Sequence, residues 1–338
     1  MENPEYHPLL NIYRSDYIDS RFYAIMGLYD SKGTIMEAGL HNDAKFFLRS
    51  MMKPIQASIL SDEKIYDYFN FTNEEIAIMQ GSHSGSPKHI KLIESILKKI
   101  GLTKDFLLCP AIPPLDLTSY KAGAKFNQTH NNCSGKHAMM LSYCVFKGLE
   151  ISKYTDFSHP VQLKIKEKLI EYAKTNDIIQ TVDGCGVPVY GLKLPDIAHA
   201  VINYYTDRKN LKLIGAYKKY PEIIGGFDKY GERTDTKIMR LNPYLLSKVG
   251  AGGFIYVFNI KTKQILIVKM AQNNNPEREI LTLDILYKLK WLDKRYFDHI
   301  VYTESHMPIG SYIISGIKIK SHNIKLILHY IKKQMVRN

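Results

Sequence analysis

A serine and a lysine three residues apart, Ser50 and Lys53, are the residues of this chain best suited to nucleophilic chemistry. Side chains spaced i and i+3 share one face of a helix, so the hydroxyl and the amine can touch. Pro54 is best tolerated in a first helical turn, which places the helix start near Ser50, where backbone N–H groups favour an oxyanion. An unprotonated lysine can activate a serine hydroxyl, so the pair predicts a nucleophile beside its base, although Ser-x-x-Lys alone is a weak motif.

Two further clusters carry hydroxyl and amine groups that could serve this serine. Ser82-His83-Ser84 lies in a short connection between two expected helices, where its hydroxyls could relay a proton. Lys248-Val249-Gly250 ends an expected strand. The order of the three motifs repeats the layout of the penicillin-recognising serine enzymes. Val249 lacks the hydroxyl of their Lys-Thr-Gly, and Ser84 replaces their usual asparagine, so a penicillin-recognising amidase or peptidase is the weaker alternative.

Cysteine chemistry forms a fourth cluster. A long chain without a secretion signal is expected to keep its four cysteines reduced or to use them on metal. Cys133 and Cys185 each lie in a glycine-containing turn and could converge on zinc, but two sulfurs are too few and another ligand must join them. On spacing alone, buried thiols are the ordinary interpretation, and His137 is an ordinary packed or capping residue.

The elements that must position these clusters can be placed along the chain. The alternating segment Arg21–Glu37, with its turn at Asp30–Gly33, predicts a hairpin that delivers the chain to Ser50. Sheet-forming segments 20–50 and 244–320 are expected to flank a mainly helical part, at about 55–240, within one domain spanning 1–338. The expected helices cover 74–80, 87–100, 135–148, 161–174, 195–205, a segment near 223 and 277–291, and the expected later strands cover 254–258, 265–268 and 312–319.

Composition excludes several classes of protein. With 338 residues, 45% of them hydrophobic, the chain can form a sizeable core. Its apolar runs fall short of the roughly 18 residues of a membrane span, and its start is no signal peptide, so we expect a cytoplasmic protein without a membrane partner. The net charge of +13 suggests nucleic acid, but the lysines are scattered and no nucleic-acid-binding motif occurs, so no such partner is expected.

Taken together, the motifs resemble the zinc-containing L-asparaginases of the rhizobial type, the asparaginase II family. The resemblance covers about residues 20 to 318, and its motifs follow the family's order. The matching motifs are RSMMKPIQA at 49–57, SHSG at 82–85, NCSGKH at 132–137, DGCGVP at 183–188 and KVGA at 248–251.

This resemblance implies a fold and an activity. The fold would be mixed α and β and β-lactamase-like, with an antiparallel-rich sheet from both chain ends packed against a helical region, and the assembly would be a homodimer. The activity would be hydrolysis of the side-chain amide of L-asparagine, giving L-aspartate and ammonia. A non-catalytic zinc-binding protein on the same scaffold is the alternative from another class.

The resemblance also implies a role for individual residues. Ser50 would be the nucleophile and Lys53 its base, while Ser82 and Lys248 would form a second Ser-Lys pair in the same pocket. Zn²⁺ would be held by Cys133, Lys136 and Cys185. The substrate would be bound or oriented by Arg49, His137, Asp183 and Gly250.

Overall fold

The computed structural model describes residues 3–39, 43–273, 275–297, 300–302, 305 and 307–314. The strands are β1 His7–Arg14, β2 Tyr17–Asp30, β3 Gly33–Ala38, β4 Phe46–Phe47, β5 Ile179–Val182, β6 Pro188–Leu192, β7 Phe227–Asp228, β8 Gly231–Glu232, β9 Leu245–Gly250, β10 Phe254–Asn259, β11 Gln264–Met270, β12 Ile300–Tyr302 and β13 Pro308–Ile314. The helices are α1 Lys53–Ala57, α2 Ile65–Tyr68, α3 Asn73–Gln80, α4 Pro87–Lys99, α5 Ser134–Lys147, α6 Pro160–Ala173, α7 Leu194–Thr206, α8 Leu211–Lys219, α9 Pro221–Ile224, α10 Thr234–Leu241 and α11 Asn275–Lys288.

The main sheet is antiparallel and joins the two ends of the chain. Its strand order is β12-β13-β1-β2-β11-β10-β9, and β3 also pairs with β2. Leu10 of β1 lies opposite Ile314 of β13, and Leu28 of β2 lies opposite Leu266 of β11. Early and late segments therefore build one sheet, with the helical part between them in sequence, which confirms the predicted mixed α and β fold with an antiparallel sheet.

Both faces of this sheet are covered, and the strand sequences show why. Along β10 every residue is buried, and alternate side chains point to opposite faces. Phe254, Tyr256 and Phe258 join the larger core with α1, α3, α5 and α7, whereas Ile255 and Val257 join a second core with α11. The larger core lies on the face that carries the helical part, and the chemistry-bearing residues lie beside it.

Several predicted elements are confirmed. The hairpin pairs β2 with β3 through the turn at Asp30–Gly33. Helix α3 begins after Thr72, whose side chain and that of Glu75 form a capping box, and α5 ends at Gly148 in the left-handed conformation with φ of 62°. The expected strand at 312–319 overlaps β13, and residues 315–320 lie outside the described residues.

The structure adds elements that the sequence pattern did not reveal, among them β1, the short strands β5 and β6, and helices α8 and α10. Strands β5 and β6 pair with each other and β6 with β4, which ties the turn at 183–187 to the segment that precedes Ser50. Among the described helices, none is long and apolar enough to cross a membrane.

Candidate active site

Ser50 lies in a tight turn that three separate elements hold. The chain passes from β4 through a 3-10 turn, Arg49–Met52, directly into α1. The backbone N–H of Leu48 donates to the carbonyl of Tyr190 in β6, 2.9 Å away. A Cβ on Gly250 would lie 2.9 Å from Cγ of Met51, so glycine is what lets β9 pack directly against this turn. Gly250 thus contacts the Ser50 turn, and its expected contact with substrate stays a prediction.

Arg49 adopts an uncommon backbone conformation immediately before Ser50. Its φ of 50° is in the left-handed region, which is strained for a residue with a side chain. The side chain is held by an ion pair in which Nε donates to Oδ1 of Asp183 at 2.6 Å. Burial raises the pKa of Asp183, but Lys136 and Arg49 outweigh it and bring that pKa to about 2. The structure therefore places an ionised carboxylate and a guanidinium beside the half-buried Ser50.

Lys53 is completely buried and has no acidic hydrogen-bond partner among the described residues. Its Nζ donates to Oγ of Ser82 at 2.9 Å and to the carbonyl of Asn132 at 3.0 Å. Burial lowers the pKa of Lys53; the neighbouring Cys133 opposes this effect, and the positive charge of Lys136 adds to it. A neutral amine has two N–H donors and one lone pair, so these two contacts leave the lone pair of Lys53 able to accept a proton.

Lys248 has a different partner from the one expected. Its Nζ lies 3.0 Å from Oδ2 of Asp235, both side chains are fully buried, and the same oxygen accepts the backbone N–H of Val249 at 3.2 Å. Burial lowers the pKa of Lys248 to about 8 although Asp235 opposes this, whereas Lys248 and Arg233 overcome burial and lower the pKa of Asp235 to about 2. The predicted Ser82–Lys248 pair is thus corrected: Ser82 hydrogen-bonds with Lys53, and Lys248 with Asp235.

Asp235 is the site residue that the sequence interpretation missed. It lies in the first turn of α10, and a Cβ on Gly225 would lie 2.5 Å from its Oδ1. The only available signal was a carboxylate in Arg233-Thr234-Asp235-Thr236, which an exposed helix start would also carry. Its burial against Lys248 depends on the distant strand β9 and could not be deduced locally.

The expected relay at Ser82-His83-Ser84 is only partly connected in the structure. The backbone N–H of Gly85 donates to Nδ1 of His83 at 3.1 Å, so Nε2 carries the hydrogen that faces Oγ of Ser134 at 2.9 Å. Burial lowers the pKa of His83 well below its usual value. Ser84 Oγ is buried without a hydrogen-bond partner among the described residues. Ser82 alone of the three is bonded to Lys53.

The structure brings Cys133, Lys136 and Cys185 together. A Cβ on Gly135 would lie 2.2 Å from the carbonyl oxygen of Ile78, so the start of α5 packs directly on α3. The interaction between the two thiols lowers the pKa of Cys185 to about 5, against the effect of burial, and together with burial raises that of Cys133 to about 12. Lys136 Nζ lies 3.5 Å from Oδ2 of Asp183.

The types and number of these donor atoms can be compared with what a metal ion requires. Within the described part of the chain, no three His, Cys, Asp or Glu side chains are placed to hold a metal ion. Two buried thiols and a buried amine are nevertheless the sulfur and nitrogen donors that zinc prefers, and three protein ligands suffice when a fourth position stays open. The donor set therefore fits zinc on condition that Lys136 releases its proton.

His137 lies in the first turn of α5, next to Lys136, and is fully buried. Its Nδ1 lies 2.7 Å from the hydroxyl of Tyr154, and its Nε2 has no hydrogen-bond partner among the described residues. Burial, with a contribution from Lys136, lowers the pKa of His137 to about 3, so the ring is neutral.

Access to these groups is from the side of Ser50 and Arg49. Ser50 and Arg49 are partly exposed, whereas Lys53, Ser82 and Lys248 have at most 2% of their surface exposed. Two surface cavities lie elsewhere, lined by residues from 61–67 with 208–212 and by residues from 287–293. A substrate reaching the buried amines would therefore meet Ser50 first.

Comparisons with known proteins give a matching family and a set of similar solved structures. The profile of the family described as L-asparaginase II matches residues 10–311. The comparison with curated proteins gave no match. Similar solved structures include a β-lactamase from Mycobacterium bovis, with 14% identity over 78% of this chain and 94% of that chain and a TM-score of 0.43. A candidate β-lactamase from Bacteroides dorei DSM 17855 has 12% identity over 77% of this chain and 92% of that chain, also with a TM-score of 0.43.

Proposed function

The chain belongs to the L-asparaginase II family, and on that premise we propose that it hydrolyses the side-chain amide of L-asparagine to L-aspartate and ammonia through a serine acyl-enzyme. Membership in this family makes the chain an amidohydrolase of the asparaginase type. One observation above all supports the proposed mechanism: Lys53, one turn from Ser50, is fully buried and has no carboxylate hydrogen-bond partner among the described residues. Such an amine favours its unprotonated form and can act as the base.

In the acylation step, Oγ of Ser50 attacks the amide carbon and its proton passes to Nζ of Lys53. The tetrahedral intermediate then collapses as the C–N bond breaks, and the proton on Lys53 returns to the leaving nitrogen through Ser82, which releases ammonia. A water molecule attacks the resulting ester, Lys53 takes one of its protons, and that proton returns to Oγ of Ser50 as aspartate leaves. Ser82 suits the relay because its hydroxyl is the hydrogen-bond partner of Lys53.

The oxyanion needs a donor at the Ser50 turn. The backbone N–H of Met51 already donates to the carbonyl of Leu48 at 3.0 Å, whereas that of Ser50 makes no hydrogen bond to the described residues. We therefore assign the Ser50 N–H to the oxyanion. Removal of one such donor from an acyl-transfer site typically costs about 3 kcal/mol of transition-state stabilisation.

The two buried lysines take different roles in this proposal. Because Lys248 faces the ionised Asp235, it keeps its proton and remains a fixed positive charge. After burial, which Asp235 opposes, the charge of Lys53 contributes to the lowered pKa of Lys248. Because Asp235 stabilises the charged form of Lys248 and no carboxylate among the described residues hydrogen-bonds to Lys53, we assign Lys53 as the base and Lys248 as a neighbouring positive charge.

We also propose that Cys133, Lys136 and Cys185 hold Zn²⁺. Held by these three residues, the ion would supply Lewis-acid chemistry towards a substrate oxygen and would help to fix the pocket. Asp183, which contacts both Lys136 and Arg49, would orient the substrate's charged groups at the mouth of the site. Metal analysis of the purified protein is expected to give about one zinc per chain, and Cys185→Ser is expected to lose it; full activity with no metal would make the ion accessory.

Ammonia release from purified protein tests the function, with L-asparagine, L-glutamine and a chromogenic β-lactam as substrates. We expect ammonia from asparagine, none from Ser50→Ala, and no β-lactam hydrolysis. Hydrolysis of the β-lactam alone would favour a penicillin-recognising enzyme, and bound zinc with no turnover of either amide would favour the non-catalytic alternative. Sedimentation of the same sample tests the homodimer that the family suggests.

A further inference from the structure

His137 and Tyr154 form a buried pair beside the reactive lysines. Their rings pack at 78° with centroids 5.6 Å apart, and neither side chain has any exposed surface. The hydroxyl of Tyr154 lies 2.7 Å from Nδ1 of His137. Tyr154 belongs to none of the sequence motifs, so its position against this ring calls for an explanation.

The direction of the hydrogen bond between the two side chains follows from a third group. The backbone N–H of Leu108 donates to the hydroxyl oxygen of Tyr154 at 2.9 Å. An amide N–H can only donate, so the hydroxyl accepts there, and Nδ1 of His137 is the acceptor that the described residues offer to its single hydrogen. In a neutral imidazole one nitrogen accepts and the other carries the hydrogen. Nδ1 of His137 therefore accepts, and Nε2 carries the hydrogen.

That Nε2–H group is buried and has no hydrogen-bond partner among the described residues. Buried donors are almost always paired, so an unpaired one beside reactive groups indicates an acceptor supplied by a ligand. His137 follows Lys136 on α5, Nζ of Lys136 lies 3.5 Å from Oδ2 of Asp183, and the backbone N–H of His137 donates to the carbonyl of Cys133 at 3.0 Å, so the ring lies beside the reactive site. The ligand atom that suits an N–H donor is a carbonyl or carboxylate oxygen.

We propose that Tyr154 is a positioning residue that holds His137 in the tautomer with hydrogen on Nε2, so that the ring donates to an oxygen of the substrate. In the opposite tautomer, Nε2 would present a lone pair to that oxygen, and the contact would become repulsive. The effect on turnover rests on the proposed function, but the tautomer itself does not.

Tyr154→Phe tests this directly, because it removes the hydroxyl and keeps the ring. Tyr172→Phe is the matched control: the Tyr172 hydroxyl also accepts from an amide, Nδ2 of Asn210 at 2.8 Å, and donates to an acceptor, Oδ2 of Asp207 at 3.0 Å. Long-range ¹H–¹⁵N spectra of protein labelled on histidine report the tautomer, and the signal missing from His137→Gln identifies His137. We expect Nε2–H in the parent and in Tyr172→Phe, and a mixture of tautomers in Tyr154→Phe.

The kinetic readout complements the spectrum. For L-asparagine, kcat/KM is expected to fall tenfold or more in Tyr154→Phe and less than twofold in Tyr172→Phe. An unchanged His137 tautomer in folded Tyr154→Phe, or a mixed tautomer with unchanged kcat/KM, would overturn the proposal. If the parent hydrolyses no amide, the proposed function fails while the spectrum still decides the tautomer.

Two substitutions of His137 test the donor even if Tyr154→Phe does not fold. The amide nitrogen of glutamine lies about where Nε2 of histidine lies, whereas that of asparagine lies about where Nδ1 lies. We expect His137→Gln to retain at least tenfold more kcat/KM than His137→Asn. Equal activities of the two variants would contradict a donor at the Nε2 position.

Discussion

Replacement of Asp235 by asparagine is the sharpest test of how the two buried lysines share one proton. The substitution keeps the shape of the side chain and removes the charge that lies 3.0 Å from Nζ of Lys248. Burial brings the pKa of Lys248 to about 8 even with the carboxylate in place. Without it, we expect Lys248 to lose its proton in the folded protein at pH 7.

The expected loss of stability can be worked out from that change. In the unfolded chain the pKa of lysine is about 10.4, so a neutral Lys248 at pH 7 costs roughly 4 to 5 kcal/mol, of which a folded pKa of about 8 already costs the parent roughly 3 kcal/mol. Loss of the buried carboxylate's own interactions adds to the difference, and removing one partner of a buried ion pair typically costs roughly 3 to 5 kcal/mol in total. Because the folded pKa lies below the unfolded pKa, the penalty is largest at low pH and disappears as pH rises towards the unfolded value.

The same substitution should shift the activity profile. A neutral Lys248 no longer repels a proton on Lys53, so the pKa of Lys53 rises and the acidic limb of kcat/KM moves to higher pH. Urea unfolding at pH 6 and pH 9, with ammonia release across that range, measures both effects. Asp43→Asn is the control, since Asp43 pairs with Lys193 at the surface, where solvent screening leaves an ion pair with little effect on stability. If Asp235→Asn is as stable as this control at pH 6 and its acidic limb does not move, the assignment of roles to the two lysines is wrong.

Three other substitutions test separate parts of the site. Lys53→Met removes the proposed base but fills its buried volume, so kcat should fall by about 10²- to 10⁴-fold while the melting temperature holds or rises, as assays of ammonia release and thermal unfolding would show. Gly250→Ala places a Cβ 2.9 Å from Met51 Cγ and 3.2 Å from Leu48 O, and should cost about 1 to 3 kcal/mol in urea unfolding and lower kcat; an unchanged kcat would show that the Ser50 turn does not need this contact. Both Arg49→Gly and Arg49→Ala lose the ion pair to Asp183 and should raise KM for asparagine, but glycine accepts a φ of 50° and should leave the protein about 1 kcal/mol more stable than alanine does.

Local chemistry explains what could be predicted from the sequence. The capping box of Thr72 and Glu75 and the glycine stop at Gly148 involve neighbours in the chain, so they appear directly in the sequence. The consecutive apolar residues of the buried strand β10 can be recognised in the sequence in the same way. Strand β1, in contrast, is stabilised by pairing with β13 and β2. No local sequence pattern indicates that it pairs with a strand from the far end of the chain.

The candidate site, like the fold, could be predicted only where neighbouring residues in the sequence determine it. The turn of Ser50 and Lys53 and the two cysteine turns could be found from residue types and motif order. The hydrogen-bond partners of the two lysines could not be predicted in this way. They depend on the packing of α10 against β9, which brings Asp235 to Lys248. The contact of Tyr154 also depends on tertiary packing. The sequence around this tyrosine does not indicate that its hydroxyl lies against the ring of His137 on α5.

The contact between Gly250 and the Ser50 turn has a consequence for how the protein matures. Ser50 is synthesised early, but β6 and then β9, which support its turn, leave the ribosome much later. Contacts between residues so distant in sequence form slowly and only after the intervening chain is complete. A nascent or truncated chain that ends before Gly250 would therefore carry the serine, both thiols and Lys53 without the geometry that makes them reactive, and activity would begin only when β9 joins the sheet.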